Sequence, residues 1–206
     1  TNDVADIVAD YPQSSLVVKL DVTVAGQIKE AVASTISKFG QIDVLVNNAG
    51  IASGSLFQMT RLSEFREVFE VNFFSTATFS QFISRKMVRN GGGSIINIGS
   101  TAGLNGDTGT AAYGASKAAL MYLTRVMSAE LGTHKIRVNA VAPSITSTEM
   151  YFQMSEDSRN AIINSGALKR AVLPSEVADA VVFLASDASS MITGQILRID
   201  GGQRGR

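Results

Sequence analysis

Asp43-Val44-Leu45-Val46-Asn47-Asn48-Ala49-Gly50 is the stretch whose reading decides the fold. A short apolar run closes in a polar turn of small residues, the pattern of a strand buried on both faces of a parallel sheet. The same unit recurs outward along the chain. Strands are expected at Leu16 to Leu20, Asp43 to Asn47, Ser94 to Gly99, Arg137 to Ala142 and Gln195 to Ile199. Helices are expected at Ala25 to Phe39, Leu62 to Asn90, Ala112 to Leu131, a short piece within Glu149 to Ser165, and Ser175 to Ser186. Pro174 before Ser175-Glu176 marks a helix start, Gly132 after Glu130-Leu131 a helix stop, and Gly91-Gly92-Gly93 the turn into the central strand. Alternating strands and helices specify an α/β fold: a doubly wound parallel sheet in three α/β/α layers. With no repeat and no dividing linker, residues 1–206 read as one domain with a sizeable core.

Composition narrows the function by exclusion. Eighteen Lys+Arg balance eighteen Asp+Glu, so charge gives no case for nucleic acid or an anionic membrane. Cysteine is absent and histidine occurs once, which removes disulfides, thiolate metal sites and cysteine nucleophiles; no metal is expected. No uninterrupted apolar run approaches ~18 residues, and Thr1-Asn2-Asp3 lacks the start of a signal peptide, so a cytoplasmic protein is expected. His134 beside Lys135 follows a helix end, where a cation complements the helix dipole, and is not read as a ligand or base. Met121, Met127, Met150 and Met154 are read as fillers of apolar gaps, with Met150 to Met154 a candidate wall of a substrate pocket.

The chemistry resides in Gly99-Ser100-Thr101-Ala102-Gly103 followed by Tyr113-Gly114-Ala115-Ser116-Lys117. Tyr113 and Lys117 are i and i+4 on a helical segment and share a face. A free tyrosine titrates near ~10, and an ammonium held beside it favours the phenolate, which makes Tyr113 a general acid/base.

Together with Asn47-Asn48-Ala49-Gly50, Glu70-Val71-Asn72, and Ile192-Thr193-Gly194-Gln195 leading into Asp200-Gly201-Gly202, these segments resemble the short-chain dehydrogenase/reductase family over Leu16 to Gly202. The resemblance implies a catalytic set of Asn72, Ser100, Tyr113 and Lys117. In it Tyr113 protonates the carbonyl oxygen, Ser100 bonds that oxygen, Lys117 holds the nicotinamide ribose, and Asn72 holds a water that relays protons to Lys117. It also implies NAD or NADP as cofactor. Asp21 and Val22 would meet the adenine, Asn48, Ala49 and Gly50 would pass beneath the adenosine ribose, and the segment from Pro143 to Thr148 would touch the carboxamide. Ser144 stands where the family has glycine and Thr146 where it has an aliphatic residue, which weakens the backbone contact to the nicotinamide but leaves the reaction class intact.

The resemblance implies hydride transfer between NAD(P) and a secondary alcohol or ketone, closest to β-ketoacyl-acyl-carrier-protein reductases and their sugar or polyol dehydrogenase relatives. The opening strand, glycine-rich turn and helix that carry a dinucleotide's pyrophosphate have no counterpart here, and against family members of about 250 residues roughly 40 are expected to be missing from the front. A non-catalytic fragment that cannot hold dinucleotide is therefore the alternative. With two strands absent between Leu16 to Leu20 and Asp43 to Asn47, either these two segments pair directly, or another chain fills the gap, or the strands exist outside this sequence; the third is favoured. A homodimer or homotetramer is expected through Leu62 to Asn90, through Ala112 to Leu131 with its Leu120, Leu123 and Met127, and through Gln195 to Ile199.

Overall fold

Four parallel strands, β1 (Val44–Asn47), β2 (Gly93–Ile98), β3 (Ile136–Pro143) and β4 (Ile196–Ile199), pair in chain order in a computed structural model that describes residues 2–152 and 154–203. Val46 lies opposite Ile96, Ile96 opposite Asn139, and Val141 opposite Leu197. Parallel neighbours require crossovers, and the described helices supply them: α1 (Asn2–Asp10), α2 (Ala25–Phe39), α3 (Leu62–Phe69), α4 (Ser75–Asn90), α5 (Ala102–Asn105), α6 (Ala111–Leu131), α7 (Glu149–Phe152), α8 (Glu156–Ser165) and α9 (Pro174–Ala185). The expected bounds shift by one or two residues at most strands and at α9.

Side-chain alternation along the strands sorts the core onto two faces. Ile95 and Val138 point to one side, where Ile28 and Val32 of α2, Ile83 and Met87 of α4, and Met127 of α6 close over them. Ile96 and Val141 point to the other, against Ala180 and Leu184 of α9. Each such side chain contributes about 1.5–3 kcal/mol on burial. The first face also carries a buried polar chain. Asn47 Nδ2 donates to Asn97 Oδ1 at 2.8 Å and to Ser80 Oγ at 3.2 Å, while Asn97 Nδ2 donates to Thr124 Oγ1 at 2.9 Å. It binds α4, β1, β2 and α6 into one block. On the far side Arg137 of β3 donates to the Leu184, Ala185 and Ser186 carbonyls, satisfying the acceptors left open at the end of α9. Gly92, at φ 146°, makes the turn into β2, and a Cβ there would stand 2.7 Å from the Lys135 carbonyl oxygen.

Three expectations need correction. Leu16 to Leu20 is not a strand: it runs as irregular chain, with Leu20 packed on the core and the Ser15 carbonyl accepting from Lys38 Nζ. A strand exists only through its pairing, and no partner for this segment occurs among the described residues. Among the described residues β1 is accordingly an edge, and Val44 and Val46, on the α9 face, are 40% and 41% exposed. Leu62 to Asn90 is not one helix, because Glu70–Phe74 forms a π-helical turn between α3 and α4. Leu120, Leu123 and Met127 do not form an outer surface: Leu120 and Met127 are buried, Leu123 packs against the core, and Tyr122 is the exposed residue of that turn.

Asn97→Ala leaves Asn47 Nδ2 with Ser80 Oγ alone and Thr124 Oγ1 with the Leu120 carbonyl alone, and is expected to cost about 1–3 kcal/mol, read as a lower urea midpoint with an unchanged slope.

Candidate active site

All four strands end at one edge of the sheet, and three of the connections that leave it carry the residues singled out by sequence. Asn48, Ala49 and Gly50 follow β1 and are exposed; Ser100 lies two residues beyond β2; Ser144 follows β3. In open parallel sheets ligands bind at this carboxyl edge. Tyr113 sits half-buried in the first turn of α6, one turn before Lys117. Lys117 is buried, and its Nζ donates to the carbonyl oxygen of Ile98, the last residue of β2, at 2.7 Å. It stands 5.9 Å from the centroid of the Tyr113 ring. Ser100 is buried, with its Oγ accepting from Ala102 N at 3.2 Å and also facing the Tyr113 phenol.

Asn72 reaches the same place from the π-helical turn. A wide turn inside a helix displaces the residues after it and turns inward a side chain that straight α-geometry would direct elsewhere; such turns recur at functional sites. The Asn72 side chain is fully buried. Its Oδ1 accepts from Ile51 N at 2.8 Å, and its Nδ2 donates to Ile51 O at 2.9 Å and to Ser116 Oγ at 3.0 Å. Gly50 packs against both side chains: a Cβ there would lie 3.3 Å from Asn72 Oδ1 and 3.4 Å from Lys117 Nζ. The backbone of this turn thus lies against the ammonium with only a hydrogen between them.

The electrostatics correct one expectation. Burial raises the Tyr113 phenol above its ordinary value, partly offset by its hydrogen bond with Ser100; the phenolate is not favoured. Burial also lowers Lys117 to about 8. Both groups are held toward their neutral forms because the low-dielectric edge disfavours charge of either sign.

The remaining candidates spread along the same edge. Asp21 is exposed, and its Oδ1 accepts from Thr23 N and Thr23 Oγ1 at 2.8 and 2.7 Å, hydrogen bonds that hold its carboxyl below the usual range; Val22 beside it is half-buried. Pro143 ends β3. Ser144 Oγ donates to Gln203 Oε1 at 3.2 Å, and Gln203 Nε2 donates to Ser165 Oγ at 3.0 Å, so the hydroxyl that replaces the expected glycine ties this segment to the end of α8. Thr146 Oγ1 donates to Ser144 O, and the exposed Thr148 donates to Thr146 O. Of the Met150 to Met154 wall, Gln153 and the Met150 side chain lie outside the described residues; Met154 is half-buried. Among the described residues no cluster of His, Asp and Glu is suited to a metal ion. Sequence reasoning missed Ile51, Ser116 and Gln203. Ser116 stood inside the quoted Tyr113 to Lys117 segment, whereas nothing local to Gln203 marks its partner 59 residues earlier.

A buried lysine, a tyrosine and a serine meet at the carboxyl edge of a parallel α/β sheet, an arrangement suited to proton transfer. A sequence model of the family described as enoyl-(acyl carrier protein) reductase matches residues 1–204. The chain belongs to the short-chain dehydrogenase/reductase family of NAD(P)-dependent oxidoreductases. It is 40% identical over 183 residues, 89% of this chain and 74% of the relative, to the 3-oxoacyl-[acyl-carrier-protein] reductase FabG of Thermotoga maritima. It is 38% identical over 182 residues, 88% and 74% of the two chains, to nodulation protein G of Azospirillum brasilense. Among solved structures, 7α-hydroxysteroid dehydrogenase complexed with NADH and 7-oxo glycochenodeoxycholic acid superposes with a TM-score of 0.91 at 32% identity, covering 100% of this chain and 81% of that one. ElxO with NADP bound gives 0.90 at 32% identity, covering 98% and 83%.

The residues present fit the nicotinamide half of such a cofactor: the Gly50 backbone and the Lys117 ammonium form a cradle that any Cβ would begin to fill. Among the described residues no glycine-rich strand-to-helix turn offers itself to the pyrophosphate.

Below about pH 8 the fold holds the Lys117 ammonium where burial disfavours it; between about 8 and the ordinary value of 10.5 only the unfolded chain binds that proton, so this deficit fades as pH rises. Lys117→Met is therefore expected to be inactive yet more stable than the parent at pH 7 by about 1–3 kcal/mol, the gain vanishing by about pH 10.5 in urea titrations.

Proposed function

We propose that this protein reduces carbonyl groups of 3-oxoacyl thioesters with NADH or NADPH. The observation that carries the reading is the half-buried Tyr113 phenol beside Ser100 and Lys117, protonated at neutral pH and so able to act as the acid. The acyl-carrier-protein reductase among its relatives supports the acyl thioester as substrate.

Lys117 Nζ, with one N–H spent on Ile98 O, offers its other donors to the nicotinamide ribose across the Gly50 cradle. Asn48, Ala49 and Gly50 would pass beneath the adenosine ribose, Asp21 and Val22 would meet the adenine, and Pro143, Ser144, Thr146 and Thr148 would hold the carboxamide. The bound dinucleotide is the hydride donor. Ser100 Oγ donates to the substrate's carbonyl oxygen and holds it toward Tyr113, whose phenolic proton passes to that oxygen as the C–H bond forms at carbon. The product is the secondary alcohol. The phenolate left behind recovers its proton through the Lys117 end of the site, where a group titrating at about 8 exchanges readily with solvent near neutral pH, by way of a water held at Asn72.

The same reading makes the protein a cytoplasmic homodimer or homotetramer. Phe74 and Tyr122, 50% and 69% exposed on the α4 and α6 sides, and Leu197 on β4 supply apolar surface for it. No described helix is long and apolar enough to cross a membrane. Light scattering at micromolar concentration is expected to return at least twice the subunit mass; a monomer overturns this part.

Tyr113→Phe fills the same volume without a proton to give and is expected to lose about 10²–10⁴-fold in kcat with an unchanged circular dichroism spectrum. The assay is decay of reduced-nicotinamide absorbance with 3-oxoacyl thioesters, sugar ketones serving as the comparison. Full activity in the variant would exclude the role of Tyr113, and preference for the sugar ketones would exclude the acyl substrate.

A further inference from the structure

Ser116 lies between the two residues of the Tyr113–Lys117 pair, yet its side chain is turned from the pocket and fully buried. Its hydroxyl has one proton, which goes to the carbonyl oxygen of Tyr113 at 2.7 Å. The oxygen's lone pairs are then all that it can present to Asn72, and Asn72 Nδ2 donates to them at 3.0 Å. This polarity fixes which way round the Asn72 amide sits. With Nδ2 committed to Ser116 Oγ and Ile51 O, Oδ1 is left to receive Ile51 N, and the three bonds use both amide N–H groups and one lone pair of the oxygen. A flipped amide would set two acceptors against each other at both Ser116 and Ile51 O, and two donors at Ile51 N.

We infer that Ser116 is a positioning residue: its hydroxyl couples the π-helical turn that carries Asn72 to the catalytic turn of α6, and through Asn72 and Ile51 holds the Gly50 backbone at its distance from Lys117. The coupling spans three connections of the fold. Asn72 comes from the turn between α3 and α4, Ile51 from the connection after β1, and Ser116 from α6, so no local interaction sets their mutual register. Phe73 packs edge-to-face on Phe74 and against Phe69 of α3, and none of these rings can replace a hydrogen-bond acceptor. The inference rests on the carbonyl-reductase reading for its kinetic consequence, but not for its structural one.

The test compares Ser116→Ala and Ser116→Thr in the intact gene product with NAD(P)H and a 3-oxoacyl thioester. Ser116→Ala removes the acceptor, leaves one Asn72 N–H unsatisfied, and is expected to lower kcat about tenfold while KM for the dinucleotide stays within about twofold. Ser116→Thr, which retains the hydroxyl, is expected to recover most of that loss. In parallel, amide hydrogen exchange at Ile51 is expected to quicken about tenfold or more in Ser116→Ala, with no comparable change at the core strand residues Ile95 and Val138. Unchanged kcat in Ser116→Ala overturns the inference, as does a uniform rise in exchange across the sheet, which marks a purely structural role. If the parent protein reduces no carbonyl, the proposed function fails instead, and Ile51 exchange alone decides: localised acceleration supports the coupling and its absence overturns it.

Discussion

The hydrogen bond from Lys117 Nζ to the Ile98 carbonyl is the contact on which the site depends. Taking an ammonium out of water at the end of a strand is unfavourable, and burial lowers its proton affinity until it titrates at about 8. One carbonyl makes the arrangement tenable. Because Ile98 is the last residue of β2 and Ser100 lies two residues on, the same bond sets the height of α6 against the sheet and therefore where Tyr113 stands relative to Ser100. Catalytic geometry and helix packing are one constraint here rather than two.

Around that contact the interior is unusually polar for a parallel α/β core. Asn47, Asn97 and Thr124 run across the first face, Asn139 accepts from Gln195 N and donates to Ile192 O, and Asn72 closes on Ile51 and Ser116. All of these groups are paired, so none carries the desolvation cost of an orphan. Directional bonds specify register where apolar packing alone would tolerate slips, and each of these joins segments distant in sequence. The trade is visible at Lys117 and Tyr113, where function keeps two ionisable groups in surroundings that favour neither charge.

Much of this was legible in the chain. The strands from Asp43 onward and the helices around them follow from apolar runs and their punctuation, and the Ser100, Tyr113 and Lys117 set from residues whose spacing matches a helix face. What escaped was nonlocal. Leu16 to Leu20 has the composition of a strand but no partner among the described residues, and composition carries no knowledge of partners. The break at Glu70–Phe74 leaves the helical period of Leu62 to Asn90 almost undisturbed, since one extra residue in a turn shifts a pattern by less than the width of an apolar face. Leu120, Leu123 and Met127 read as surplus apolar surface, yet Leu123 and Met127 belong to the cluster that α2 and α4 close over, and Leu120 is buried. The direction of the Tyr113 shift turned on how burial weighs against a neighbouring charge, a balance that sequence spacing does not contain.

The edge position of β1 has a consequence for how the chain behaves in company. On its outer side the strand presents backbone donors and acceptors with no ladder partner among the described residues, alongside the exposed Val44 and Val46. Such a border is a template: whatever segment lies along it gains ladder bonds and apolar burial at once, and an identical neighbour qualifies as readily as any other.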